Sequence, residues 1–265
     1  MPRAGCRRLV RSAGPGRARR DVRGVSRLAR TAAVPVVPQV WRIPLLGDFV
    51  NGYILRDDDG QVTLVDMGIK SSGAKVMAAL ASIGSGPSDV TRLLLTHAHP
   101  DHAGGAAHVA RETGQRFGIH EDDAASAAAG TAPPRDPTTF LGRLTNRLPG
   151  GGFPPVPVGE TFTDGQLLPF AGGIEVVHTP GHSPGHVAYL LRESGVLITG
   201  DSIFNVRGLR WPIKSFCTDF RLTTKTAHRL AELDYTTAGF THGPHLSDNP
   251  REHIRRFLAT HPVEG

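Results

Sequence analysis

The chain has almost no cysteine. Its 265 residues include two, Cys6 and Cys217, far apart in the sequence, which excludes a disulfide framework and a cysteine-based zinc site. Any metal the protein uses must therefore be held by nitrogen and oxygen. Aromatic residues are scarce at 6% of the total, and no stretch approaches the roughly 20 apolar residues required to span a bilayer. Acids are nearly missing from the first 40 residues, where ten arginines face a single Asp21. That segment carries +9 in a chain whose total is +6, so the remainder carries −3. The basic balance belongs to a tail, and the body lacks the electrostatic footprint of a nucleic-acid binder.

Residues 1–39 are rich in Arg, Gly, Ala and Pro and poor in large apolar side chains, a composition that does not offset its ordering entropy. A disordered tail is expected there. It has no uninterrupted apolar segment of the kind a secretory signal needs, although its arginines resemble those of an organelle transit peptide, and an early start codon would look the same. Residues 40–265, with a composition 39% hydrophobic over the whole chain, are expected to form one globular domain, cytoplasmic and without membrane association.

Patterning supports a mixed α/β fold. Two β-prone runs, Val50–Leu55 and Val62–Val65, flank the turn sequence DDDG as in a hairpin. Apolar residues at 76, 79, 80 and 83 give a helical period closed by Gly84. TRLLLT reads as a buried strand, and DHAGGAAHVARETG as a helix ending at Gly114. In the second half, strands are expected at 174–178, 186–191, 196–199 and 237–241, and helices at 223–233 and 250–258. Strands precede helices in both halves, which suggests two sheets covered by helices.

The densest chemistry is in LLLTHAHPDHAGG, residues 93–105. His97, His99, Asp101 and His102 lie at the exit of a strand, and several buried imidazoles without a cation would leave unpaired polar groups, which a Zn²⁺-like ion satisfies together. Further donors stand at other strand exits: His178, His182 and His186 around a Pro-Gly turn, His242 and His245 in GFTHGPH, and Asp201 in VLITGD.

THAHPDHAGG, TPGHSPGH, LITGD and FTHG, in that order and spread over about residues 40–260, resemble the motifs of the metallo-β-lactamase-fold hydrolases, in particular the lactonase and glyoxalase II branches. The resemblance implies an αββα sandwich of two mixed sheets with two divalent metals at their shared edge, zinc in the first place, with manganese or iron as alternatives. It implies His97, His99 and His182 on the first ion, Asp101, His102 and His242 on the second, and Asp201 bridging them. Asp66, in LVDMG, matches a buried aspartate behind the metal loop, His186 a hydrogen-bonding neighbour, and His245 a rim residue.

The implied reaction is hydrolysis of an ester-like bond in a small molecule by a metal-bridging hydroxide, since zinc lowers the pKa of bound water to about 7, with Asp101 shuttling the proton. β-Lactam hydrolysis ranks lower, because β-lactamases with the same first motif usually lack the bridging carboxylate. A non-hydrolytic metal-binding or redox protein on the same fold is the alternative of a different class, and the full ligand set argues against it. The match also departs from pattern: lactonases often carry a tyrosine where this chain has Phe204, and only 23 residues follow His242, little for the helical region that glyoxalase II uses.

Substrate choice is expected to lie in residues 121–158, a lid insertion in which Phe140, Leu144 and Leu148 have helical spacing between Pro- and Gly-rich flanks. An ordinary surface helix would read the same. Phe204, Trp211 and Phe216 could supply the opposite wall, although core packing would also account for Trp211 and Phe216.

Overall fold

The computed structural model describes Met1, residues 32–147 and residues 152–261. Most of the tail, residues 2–31, and Leu148 lie outside that part. Within the described residues, regular structure is present before Val40: β1 (Val34–Val37) pairs antiparallel with β2 (Val40–Asp48). Its VPVV sequence is β-prone, and β1 is the outermost strand of its sheet, where Pro35 is tolerated. The arginine-rich composition upstream hides this signal.

From β2 the chain runs antiparallel into β3 (Asn51–Arg56) and, through a turn at DDDG, into β4 (Val62–Val65). All four residues of β4 are buried, as expected of a strand covered on both faces. Helix α1 (Gly73–Ser82) then returns the chain to β5 (Val90–Leu94), parallel to β4.

The helix expected after β5 is two short ones, α2 (Pro100–Ala103) and α3 (Ala106–Thr113). The break falls at Gly104–Gly105, where the backbone presses on the turn after β4; a Cβ on Gly105 would meet the carbonyl oxygen of Met67 at 2.3 Å. Only glycine permits that approach, and it brings α2 and α3 against the turn after β4, which carries Asp66.

Next come β6 (Phe117–His120), α4 (Glu121–Ala129), α5 (Phe140–Thr145) and β7 (Val158–Phe162), which complete a seven-stranded sheet in the order β1 to β7. The second sheet is built from β8 (Leu167–Leu168), β9 (Ile174–His178), β10 (Val187–Leu191) and β11 (Val196–Ile198). A ribbon of β12 (Phe204–Asn205) and β13 (Leu209–Arg210), then α6 (Phe220–Ala227), separate these from β14 (Thr237–Gly239), and α7 (Pro250–Thr260) ends the described chain. The order is β14-β11-β10-β9-β8, with β11 and β14 parallel.

Three apolar clusters fix the layering. Tyr53, Leu55, Val65 and Phe162 of the first sheet pack on Val176, Tyr189 and Ile198 of the second. Val76, Leu80 and Val109 of α1 and α3 cover the outer face of the first sheet, and Leu230, Ile254 and Phe257 cover that of the second. The result is an αββα sandwich. The ends of β4, β5, β9, β11 and β14 all emerge at one edge, the edge that gathers the histidines. Among the described residues no helix is long and apolar enough to cross a membrane.

Candidate metal centre

Residues that the sequence scatters from 97 to 242 meet at this edge. His97, His99 and His182 place one donor atom each within 4.8 Å of one another, and so do Asp101, His102 and His242. Nδ1 of His99 is 2.9 Å from Nε2 of His182. Asp201 lies between the two groups: Oδ2 is 3.1 Å from Nε2 of His182 and 3.3 Å from Nε2 of His242, and Oδ1 is 3.4 Å from Nε2 of His102. Asp101 Oδ2 is 3.4 Å from Nε2 of His242 and 3.7 Å from Nε2 of His102.

The outward nitrogens are held elsewhere. Nδ1 of His97 meets Thr96 Oγ1 at 3.0 Å, Nδ1 of His102 meets Asp66 Oδ2 at 2.9 Å, and Nδ1 of His242 meets the Phe49 carbonyl. Nδ1 of His182 faces the thiol of Cys217 at 3.5 Å. When one ring nitrogen donates outward, the other presents its lone pair. Accordingly, Nε2 of His97, His102 and His242 are buried with no hydrogen-bond partner. Three imidazole nitrogens converging on a carboxylate, with their other ring nitrogens held outward, are a donor set that fits divalent cations.

Without a cation, the electrostatics divide the histidines. Burial, reinforced by the neighbouring imidazoles, holds His97 and His99 well below the usual histidine range. Burial acts in the same direction on His102, His182 and His242, but facing carboxylates outweigh it. Asp201, Asp101 and Asp66 raise His102 well above that range, and Asp201 raises His182 to about 10 and His242 to about 9. Burial alone would raise Asp101 and Asp201, but the histidines around them bring both below the usual carboxylate range. Protons stand in the metal-free protein where cations would.

Asp66 follows β4 in a left-handed conformation, φ 55°, strained for a residue with a side chain. It turns a fully buried carboxylate onto the backbone N–H and Oγ1 of Thr96 as well as onto His102. His186 has both nitrogens engaged: Nε2 accepts from the backbone N–H of Asp201 at 2.7 Å, and Nδ1 faces Thr179. Burial holds it down to about 3. His178 stacks on His120 at 3.9 Å, away from the cluster, and His245 is half-buried in the loop beyond His242.

Of the proposed walls, the Phe204 ring sits 4.2 Å from that of His242. Trp211 does not join it; it packs on Phe257 at 4.9 Å within the core under α7, because β13 carries it away from the strand exits. Phe140 and Leu144 are exposed on α5. That helix is tied to the site through Asp136, whose backbone N–H donates to the carbonyl of Cys217.

Four contributors were not legible in the sequence. Thr96 backs His97, Thr241 Oγ1 donates to Asp201 Oδ1 at 2.7 Å, Cys217 backs His182, and Asp123 on α4 reaches both metal loops. Only the EDD run at the start of a helix could have marked Asp123, and helix-start acids are commonplace.

Comparison with known proteins agrees with this geometry. The sequence model of the metallo-beta-lactamase superfamily matches residues 45–244. The uncharacterized protein YobT of Bacillus subtilis (strain 168) is 28% identical over 224 residues, covering 79% of this chain and 89% of its own length. The hydroxyacylglutathione hydrolase GloC of Haemophilus influenzae is 27% identical over 164 residues, covering 61% and 70%. Among solved structures, a metallo-beta-lactamase HARLDQ motif mutant from Cronobacter sakazakii superposes with a TM-score of 0.66 over 86% of this chain and 93% of that one, at 20% identity, a likeness of fold alone.

Proposed function

Since the chain belongs to the metallo-beta-lactamase superfamily, we propose that it is a dinuclear metal-dependent hydrolase of ester-like bonds, whether lactone, ester or thioester. The carrying observation is Asp201, one carboxylate that faces both histidine groups, with Oδ2 toward His182 of the first and His242 of the second and Oδ1 toward His102 of the second. In this reading His97, His99 and His182 hold the first ion, Asp101, His102 and His242 the second, and Asp201 both. Zinc fits the nitrogen and oxygen donor set best. When bound, the two ions supply Lewis acidity and an activated water.

The chain's own residues supply the rest. Asp101 has a side chain 37% exposed, while Asp201 is at 3%. A ligand carboxylate open to the mouth can carry a proton to the leaving group, and a sealed one cannot. Phe204 and Phe49 pack against His242 and exclude water from that side. Within the segment 121–158 the lid would be α5, with Phe140, Leu141 and Leu144 turned outward to meet an apolar acyl group, while α4 stays packed in the core through Ala127. The relative named as a hydroxyacylglutathione hydrolase favours thioesters within this class. The catalytic domain would then begin no later than β1.

Elemental analysis followed by hydrolysis of a nitrophenyl ester, an acyl lactone, a glutathione thioester and a chromogenic β-lactam tests the proposal. Two metals per chain, with turnover of a panel member abolished by His99→Ala, is the expected result. Protein that binds no metal after reconstitution overturns it.

A further inference from the structure

Residues 121–123 open α4 with Glu, Asp and Asp. Two of these acids face water, as acids in a first helical turn ordinarily do. Asp123 is fully buried, and its carboxylate accepts three hydrogen bonds: from the Ala98 N–H at 2.8 Å and Ser183 Oγ at 2.6 Å on Oδ2, and from the Gly185 N–H at 2.7 Å on Oδ1. The donors come from two loops that belong to different sheets. Ala98 stands between His97 and His99, and Ser183 directly follows His182.

We infer that Asp123 is the positioning residue of the first metal triad, its carboxylate setting the spacing between the loop of His97 and His99 and the loop of His182. The inference rests on the metal-centre reading above. Each of the three ligands is covalently adjacent to a residue that Asp123 grips, the first loop through the Ala98 N–H and the second through Ser183 Oγ and the Gly185 N–H, so one side chain holds both loops. Acceptor-only chemistry suits this task. A carboxylate offers several lone pairs to three donors, while an amide of the same shape has one acceptor oxygen and would turn N–H against N–H.

The approach of the second loop is built for the contact. A Cβ on Gly185 would lie 2.6 Å from the Asp123 backbone nitrogen and 2.8 Å from its Cβ, so the loop closes onto α4 only because that position is bare. The second triad is held by other partners, His102 by Asp66 and His242 by the Phe49 carbonyl, and Asp123 has no hydrogen bond to either. A positioning role therefore makes a selective claim: loss of Asp123 weakens one ion and spares the other. General support for the fold would weaken both.

Cobalt(II) titration of the metal-free full-length protein in two backgrounds separates these cases. His242→Ala leaves the first triad complete, and His99→Ala leaves the second. Asp123→Asn is expected to lower cobalt affinity 10- to 100-fold in the His242→Ala protein, the range for outer-sphere partners of metal ligands. In the His99→Ala protein the change should stay within about twofold, as for independent sites. Equal losses in both backgrounds, or no loss in either, overturn the inference. Should neither parent bind cobalt, the metal-centre reading itself fails and the positioning role falls with it. Circular dichroism of the metal-free variants reports folding; if Asp123→Asn does not fold, Ser183→Ala carries the test. It removes one of the three bonds and keeps the carboxylate, so a severalfold loss confined to the first triad supports the role and unchanged affinity refutes it.

Discussion

The thiol of Cys217 lies 3.5 Å from Nδ1 of His182, in the position where the other ring-held donors of the cluster have an oxygen. Fully buried, it takes over the part of an outer acceptor for the one histidine that faces both His99 and Asp201. Cys217→Ala should lower metal affinity 10- to 100-fold, and Cys217→Ser, which restores an acceptor, should recover most of the loss. Competition with a chelator of known affinity reads both; an alanine variant with wild-type affinity would make the thiol mere packing.

Asp201→Asn removes the charge shared by the two groups while keeping the side chain's shape. Retained metal should fall from two ions per chain to about one, with the weaker ion losing about 100-fold or more in affinity, and turnover should be lost. Elemental analysis after dialysis gives the count, and two ions retained would contradict a bridging role.

The metal-free protein should lose stability toward alkaline pH. His182 and His242 are raised in the folded state to about 10 and about 9 from an unfolded value near 6.5. Their protonated contacts with Asp201 therefore stabilise the fold fully below pH of about 6.5, and the gain disappears as pH rises through about 9 to 10. His186 has the opposite sign: held at about 3, it favours the fold above the unfolded value and its contribution is lost as pH falls. Melting temperature against pH, with chelator present, should decline on the alkaline side, and Asp201→Asn should flatten that decline. Metal affinity should rise over the same alkaline interval, because binding must displace those protons.

Phe140 and Leu144 are 75% and 45% exposed, so replacing both with serine should change stability by no more than about 0.5 kcal/mol each. KM for a long-chain apolar ester should rise on the order of tenfold through lost apolar burial, while a short acetyl ester is unaffected. Equal effects on the two substrates would count against a lid role for α5.

Much of this was readable in the sequence, and the reasons are local. THAHPDHAGG and TPGHSPGH hold their donors within a few residues, so spacing marked the clusters while the family resemblance chose His182 among the three histidines of the second, and the hairpin at DDDG followed from turn chemistry. Asp66 was legible only through the resemblance of LVDMG to the family's pattern. Cys217, Thr241 and Asp123 each act through one or two atoms on a residue that is 35, 40 or 25 positions away, and no periodicity encodes such a contact. β6 escaped because a four-residue strand, FGIH, is too short to show alternation. Trp211 packs on Phe257, the core alternative its sequence context left open, because nearness to Asp201 in the chain does not fix which way β13 carries it.

The donors are split between the two sheets: His97, His99, Asp101 and His102 follow β5 of the first, and His182, Asp201 and His242 follow strands of the second. An ion shared across that division is also a cross-link, tying together segments as much as 141 residues apart (Asp101 and His242, 242 − 101) without a covalent bond. Closing so long a loop costs the unfolded chain entropy that grows only slowly with length, and ligation in the folded state alone returns stability by mass action. In a chain with almost no cysteine, metal supply would then govern how firmly the two halves of the sandwich stay shut as well as whether anything is hydrolysed between them.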